Sequence, residues 1–440
     1  MKRLKSPLDV QIELTEHCNQ CCRHCYNYWR NANDFSTTKE LCLDEFLSII
    51  NQLHEARVGL ITFTGGEPML RKEVLFELIA YTHNLGMEVG LNSNGVLITE
   101  NDARILAKNG LDHALISLLG PESLHESIAG CGSDFEATKN GIRLLNGSNI
   151  PVSTNMVVSN LNLQTMWETA CIAKELGVRT FCAGPVVPSY KSAVPLCLSP
   201  EECKSCLLEL VRIGEELSMN VDVLEPIARC LFNKEEEHRF MRFFGNRMCS
   251  AAVSSCAISP FGDMRPCIHS DKVYGNVLPD RFSDVWKNME EWSLPSILPD
   301  KCQSCGAITI CEGGCRMSAR TMCGQYNGPD MYMTEPITDL NRILIGASIS
   351  EDVLIGISEP LEFNKRCVIR EEEDGRYIVF YGGKLQCLTE KGIGFVLLLK
   401  DAGTFTVCSV AEKTGFSNRE ITPILARLLR NGIIFRKNIS

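Results

Sequence analysis

The stretch Cys18-Asn19-Gln20-Cys21-Cys22-Arg23-His24-Cys25 decides how this chain is read. It follows a short run of β-forming residues, Val10–Leu14, and three of its thiols, Cys18, Cys22 and Cys25, have the spacing C-x3-C-x2-C. Three thiolates on one loop hold three irons of a [4Fe-4S] cube and leave the fourth iron open to another ligand. A structural zinc site needs four closed ligands, and the spare thiol, Cys21, is flanked so tightly that it is expected to point elsewhere. Taken alone, the loop also fits a coincidental cluster of buried cysteines.

The surrounding composition favours ligation. With 440 residues the chain has room for two or three domains with substantial cores, and 45% apolar with 22% charged residues is ordinary for a globular protein. A net charge of -10 gives no reason to expect nucleic-acid binding. The basic start, Met1 to Lys5, lacks the apolar run of a signal peptide, and no window reaches the roughly 18 apolar residues of a membrane span. The expectation is a cytoplasmic protein with no membrane partner. In a reducing compartment, 23 cysteines point to metal rather than disulfides.

From Leu8 to about Pro188, short β-rich runs alternate with amphipathic helical ones, the pattern of a parallel α/β sheet with crossover helices. Six candidate strands are Val10–Leu14, Leu60–Thr64, Glu88–Asn92, Ala114–Leu118, Val152–Val158 and Thr180–Ala183. Phe46, Ile49, Ile50 and Leu53 share one helical face, as do Val74, Leu75, Leu78 and Ile79. Gly86, Gly110 and Gly177 precede strands, where a helix C-terminus needs positive φ. In such sheets ligands bind at the carboxyl ends of the strands. The second strand runs there into Thr64-Gly65-Gly66-Glu67-Pro68, the third into Asn92-Ser93-Asn94-Gly95 and the fourth into Ser117-Leu118-Leu119. Adjacent glycines admit close backbone approach, and Glu67 supplies an acceptor for an ammonium group.

Cys18, Cys22, Cys25, Gly65-Gly66-Glu67, Asn94-Gly95 and Ser117, in this strand order, resemble the radical S-adenosylmethionine (SAM) superfamily. The resemblance implies a partial (β/α)6 barrel whose open iron takes the amino and carboxylate groups of SAM, with Gly65, Gly66 and Glu67 at the amino group. His24 stands where the family often has an aromatic residue near the adenine, and Asn92, Ser93, Ser117 and Asn155 are the other expected cofactor contacts. No catalytic side chain is assigned beyond the clusters and the cofactor site. Two positions depart from the family: Leu119 replaces a frequent aspartate, and Ala129 stands where sulfatase-maturing members have the arginine that holds the cofactor carboxylate.

Residues 191–247 read as a connector after a core of 1–190. Ser199-Pro200-Glu201-Glu202 starts a capped helix, Cys203 and Cys206 are expected as helix-face thiols, and Lys234 to Arg239 as a solvated helix face. Residues 248–338 hold a second dense cysteine patch: Cys249-x12-Gly262-x4-Cys267, then Cys302-x2-Cys305-x5-Cys311-x3-Cys315, then Cys323. This order is similar to the SPASM domain that follows radical SAM cores. With Cys256 as an eighth ligand, the family's crossed arrangement implies one cluster on Cys249, Cys256, Cys267 and Cys315 and another on Cys302, Cys305, Cys311 and Cys323. Three [4Fe-4S] clusters and SAM are thus the expected cofactors. The alternative for this patch is a pair of zinc ribbons, since C-x-x-C is also zinc spacing.

Residues 339–440 form a further unit, with strands at Val368–Ile369, Tyr377–Tyr381 and Leu385–Leu388 and helices at Glu390–Leu399, at Val407–Lys413 and around Ile421 to Leu428. For the last helix, Thr422 capping Pro423 is favoured over a Ser417/Glu420 capping box. Strands followed by three short helices suggest a winged-helix-like domain, loosely similar to PqqD-like elements that recruit leader peptides. A peptide strand added at the wing edge is the preferred binding mode. Arg427, Arg430, Arg436 and Lys437 support a rival DNA-binding reading, but four basic residues are a narrow face for nucleic acid.

Together these features lead to the expectation of a radical SAM enzyme that crosslinks, through a carbon–carbon or thioether bond, a ribosomally made precursor peptide. A flavodoxin or ferredoxin is its expected reductant. Sulfatase maturation is the enzymatic runner-up, weakened because Ile268 occupies the place of an aspartate in those relatives; peptide epimerisation also fits. A non-catalytic metal-binding DNA regulator is the reading from another class.

Overall fold

A computed structural model of the chain describes residues 3–27, 39–245, 247–338 and 355–437. All six expected core strands are present: β1 (Asp9–Glu13), β2 (Leu60–Thr64), β3 (Glu88–Ser93), β4 (His113–Ser117), β5 (Val152–Val158) and β6 (Thr180–Pro185). They pair parallel in sequential order, so each crossover helix covers the strand pair it joins. The helices include α1 (Leu43–Glu55), α2 (Lys72–Asn84), α3 (Glu100–Lys108), α4 (Glu122–Ala129), α5 (Phe135–Gly147), α6 (Met166–Glu175) and α7 (Pro200–Glu216). Phe46, Ile49, Ile50 and Leu53 of α1 and Leu75, Leu78 and Ile79 of α2 are fully buried against the sheet. Each such side chain contributes about 1.5–3 kcal/mol of burial.

The sheet extends past both ends of the expected core. β7 (Asn220–Asp222) continues it beyond β6, and β8 (Ser255–Ile258), from the cysteine-rich region, pairs parallel with β1 before turning into β9 (Met264–Arg265). Among the described residues the result is one nine-stranded sheet. The cysteine-rich region is therefore built onto the edge of the core. A buried ion pair between Glu13 of β1 and Arg265 of β9 fixes the junction.

Ser199 caps α7 with Glu202 in a reciprocal box, and Cys203 and Cys206 are buried core thiols on that helix. The helix Lys234–Phe244 departs from the expectation of a solvated face at one position. Glu237 is fully buried and pairs with the equally buried Arg229 at 3.2 Å.

The boundary expected near Asp339 lies outside the described residues. Residues 355–437 carry two small antiparallel sheets and three helices. One sheet is the meander β11 (Val368–Glu371), β12 (Tyr377–Tyr381) and β13 (Lys384–Leu388); in the other, β10 (Leu361–Phe363) lies between β14 (Thr404–Phe405) and β15 (Ile434–Arg436). The last helix corrects the sequence expectation: it runs Asn418–Arg430 from a Ser417/Glu420 capping box, with Pro423 inside it. Two donors satisfied at the helix start outweigh the one bond lost to proline.

This unit caps the amino ends of the core strands. Ile378 and Phe380 pack with Leu4, Leu8 and Leu60, and a Cβ on Gly59 would lie 2.5 Å from the Phe380 ring, so only glycine admits that contact. Arg366 clasps the Asp112 carboxylate at 2.5 and 2.7 Å, and the Gly382 amide donates to Glu88 at 2.6 Å. Arg370 donates to the Ser6 carbonyl at 2.8 Å. The opposite, carboxyl ends of the strands stay free for chemistry.

Candidate active site

The loops at those carboxyl ends surround a cavity of about 370 Å³. Cys18, Cys22, Cys25 and His24 line it from the loop after β1, Gly65, Gly66 and Glu67 from the loop after β2, and Asn92 and Ser93 from β3. Ser117 of β4 and Asn155 of β5, paired in register, face the same space. The structure thus brings together every core residue expected from the sequence. Cys249, Cys256, Cys267 and Cys315 border the same cavity from the cysteine-rich region.

The glycines permit this assembly by removing side chains between two loops. A Cβ on Gly66 would stand 1.8 Å from the His17 carbonyl oxygen, and Gly65, at φ +138°, packs on the Thr15 carbonyl. Glu67 is buried and acts as a clamp. Its Oε1 accepts from the Met69 amide (3.0 Å) and the Ser93 hydroxyl (2.8 Å), and its Oε2 accepts from the Asn94 amide (2.9 Å). Burial pushes its carboxyl above the usual range and the three donors pull it back. A carboxylate offers about four acceptor positions, so one remains for a ligand's ammonium group.

The thiol loop is held from behind by α4. The Cys21 amide donates to the Ala129 carbonyl (3.1 Å) and the Arg23 amide to Ile128 (3.0 Å). Cys21 points away from the cavity, its sulfur accepting from the Cys131 amide at 2.8 Å. Ala129 is fully buried among Leu119, Ile128 and Cys22. The Cys18 sulfur accepts from the Gln20 amide at 3.4 Å, with the Asn94 side-chain amide 3.9 Å away, and such donors stabilise thiolate. Burial, aided by His125, lowers His24 to about 4, so its imidazole is neutral at pH 7.

Several lining residues escaped the sequence reading. Gln11 and Glu225 line the cavity, and each carries a buried side-chain oxygen without a hydrogen-bond partner. Burial raises Glu225 to about 7, and Gly184 makes room for its carboxylate. The Tyr26 and His269 rings meet at 5.5 Å with their planes tilted by 57°, and the Ser189 hydroxyl lies 2.7 Å from His269 Nδ1. The alternation Asp9-Val10-Gln11-Ile12-Glu13 was the available signal for Gln11, because alternate residues of a strand share a face. Ile268 puts an apolar group on the cavity wall.

Placement of the cysteine-rich ligands differs from expectation at two positions. Cys249, Cys267 and Cys315 lie within electrostatic reach of one another. Cys256, although it borders the cavity, sits on β8 opposite Val10 and is buried in the same core cluster as Val10 and Ile12, with Asp9 and Arg3 as its charged neighbours. Cys302, Cys305 and Cys311 border a second, smaller void. Cys323 is not among its lining; it is exposed at the end of the helix Arg316–Cys323, whose N-cap is Cys315. Among the described residues no three His, Cys, Asp or Glu side chains close around a point as they do for a single ion. Nor is any helix of the described residues long and apolar enough to cross a membrane.

The model of the radical SAM superfamily matches residues 12–170, and that of the SPASM iron-sulfur cluster-binding domain matches residues 249–306. An AdoMet-dependent heme synthase of Oleidesulfovibrio alaskensis is 28% identical over 340 residues, 74% of this chain and 86% of that protein. Mycofactocin maturase MftC of Mycobacterium tuberculosis is 30% identical over 343 residues, 74% of this chain and 83% of that protein. The crystal structure of Streptococcus suis SuiB bound to its precursor peptide SuiA has the same fold, with a TM-score of 0.60 at 19% identity over 74% of this chain and 76% of that one. With thiols, glycines and the Glu67 clamp placed around one cavity, the chain belongs to the radical SAM superfamily, in the branch that carries a SPASM iron-sulfur domain.

Proposed function

We propose that this enzyme modifies a ribosomally made precursor peptide, closing a carbon–carbon or thioether crosslink. The observation that carries the reading is the single cavity bordered by Cys18, Cys22 and Cys25 on one side and by Cys249, Cys267 and Cys315 on the other. A peptide segment held there lies between the two thiol groups. SAM and a core cluster held by Cys18, Cys22 and Cys25 would supply the radical chemistry that removes a hydrogen atom from the substrate, and SPASM clusters, two in this proposal, would supply an acceptor for the remaining electron.

The chain's own residues bind and shield. Gly65, Gly66 and Glu67 would receive the ammonium end of SAM, neutral His24 would border the adenine, and Asn92, Ser93, Ser117 and Asn155 offer polar groups along the wall. Leu115, Val157 and Val186 keep the reacting space apolar and water-poor. A relative named as a maturase, mycofactocin maturase, shares 30% identity. The unit at residues 355–437 is the proposed leader-recognition element. Among the described residues β13 pairs with β12 alone, leaving an edge for an added strand, whereas Arg57 and Lys5 already bond carbonyls of β11. A flavodoxin or ferredoxin supplies electrons.

The test is anaerobic incubation of the enzyme with SAM, dithionite and the short peptide encoded beside its gene. A product lighter by two hydrogens, formed with 5′-deoxyadenosine, is expected. Formation of 5′-deoxyadenosine with the peptide mass unchanged would oppose the crosslink. A second reading, a heme-forming reaction on an iron porphyrin, is favoured by the 28% identity to an AdoMet-dependent heme synthase. Heme produced from a porphyrin precursor in the same assay would select it.

A further inference from the structure

The void bordered by Cys302, Cys305 and Cys311 has a fourth cysteine on its wall. Cys230 comes from the turn Arg229–Leu231 in the connector, ahead of the SPASM match that begins at residue 249. We propose that Cys230, not Cys323, is the fourth ligand of the iron-sulfur cluster held by Cys302, Cys305 and Cys311. The inference rests on the cluster content of the SPASM domain and goes beyond it by assigning a ligand from outside that domain.

Three features carry it. Three of the four sulfurs are already met by backbone donors suited to thiolates: Thr334 N–H to Cys230 at 3.2 Å, Ile337 N–H to Cys305 at 3.4 Å and Arg229 N–H to Cys311 at 3.4 Å. Hydrogen bonds to sulfur of this kind tune cluster sites. The wall between them is apolar, with Ala307, Ile310 and Ile337 packed against Cys230, Cys305 and Cys311. Finally, the turn is anchored, because Arg229 forms its buried ion pair with Glu237 and the Thr334 hydroxyl donates to the Cys230 carbonyl at 2.5 Å.

Cys323 lacks each of these. It is exposed, its sulfur lies 3.8 Å from the Pro329 carbonyl oxygen, and a helical segment about 12 Å long separates it from Cys315. A ligand from the connector has a structural consequence. The cluster would staple residues 229–231 to the SPASM domain, so cluster assembly and connector folding become one event.

The experiment uses the full chain with Cys18, Cys22 and Cys25 replaced by alanine, which removes the core cluster's signal, after anaerobic reconstitution with iron and sulfide. Iron and acid-labile sulfide per chain and the EPR spectrum of the dithionite-reduced protein are measured. Adding Cys230→Ala is expected to remove about four irons and one EPR component. Adding Cys323→Ala is expected to leave both unchanged. The milder Cys230→Ser, which can offer oxygen to iron, is expected to alter the EPR spectrum even where iron is kept. Iron equal to that of the triple-alanine parent and an unaltered spectrum in the Cys230 variants, or loss of a cluster with Cys323→Ala, overturns the assignment. A parent chain that takes up no iron would strike the cluster-binding reading itself, an outcome distinct from these.

Discussion

The Ser93 hydroxyl donates to Glu67 Oε1 at 2.8 Å and accepts from the Gly95 amide at 3.0 Å, so one side chain ties the loop after β2 to the loop after β3. Ser93→Ala leaves a buried carboxylate one donor short. Hydrogen bonds to charged groups contribute about 1.5–3 kcal/mol, and the variant is expected to lose stability in that range by denaturant unfolding. Equilibrium dialysis should show weaker SAM binding. Unchanged stability and binding would mean that Glu67 is positioned by its backbone donors alone.

Gly66 tests the close approach of the two loops. Its missing side chain would meet a backbone oxygen at 1.8 Å, so Gly66→Ala must displace the cysteine loop. A loss of ~3 kcal/mol and impaired iron uptake by the core site are expected. Gly394, in the helix Glu390–Ala402 with open space around it, is the contrast: Gly394→Ala should stabilise by about 0.5–1 kcal/mol.

The contact under the barrel should make stability depend on pH. Burial raises Glu88 from 4.5 to about 7, opposed by the Gly382 amide and, among neighbouring charges, raised by Asp112 and Asp9 and lowered by Arg366. The folded state therefore holds a proton that the unfolded state has released. Its contribution is full below about pH 4.5 and is lost as pH rises toward 7. Glu88→Gln keeps an acceptor for Gly382 without the charge. Its melting temperature should exceed the wild type's at pH 8 and match it at pH 5, and the reverse order would contradict burial as the dominant effect.

Leader recognition by residues 355–437, as proposed above, would constrain the peptide. The cavity and the meander β11–β13 lie at opposite ends of strands about 17 Å long. An extended chain gains about 3.3 Å per residue, so a precursor would need at least about five residues between its recognition segment and its crosslink merely to match that length. Precursors shortened in that interval should bind with unchanged affinity but turn over poorly. Full turnover with a two-residue interval, about 7 Å at full extension, would place recognition elsewhere.

The core was legible because periodicity and chemistry coincide there. Strands β2 and β5 have the expected ends, and the cysteine, glycine and serine positions fall at strand ends where a parallel sheet must present them. What the sequence hid depends on partners far along the chain. β8 pairs with β1 across more than 240 residues, which no local pattern encodes, and that pairing turns Cys256 toward Val10. Cys230 stands alone without a C-x-x-C neighbour, and Glu237 lies within a charge run whose other members suggest solvent. In the last helix, proline's preference for the first turn competed with a capping box, and the box set the start.

The account rests on SAM being cleaved at the Cys18, Cys22, Cys25 site. The most direct measurement is chromatographic quantification of 5′-deoxyadenosine and methionine from the reconstituted, dithionite-reduced protein given SAM, beside the variant with all three cysteines changed to alanine. Equimolar 5′-deoxyadenosine and methionine from the wild type and neither from the variant is the predicted result. No cleavage by an iron-loaded wild type, or cleavage that survives the triple substitution, would contradict it.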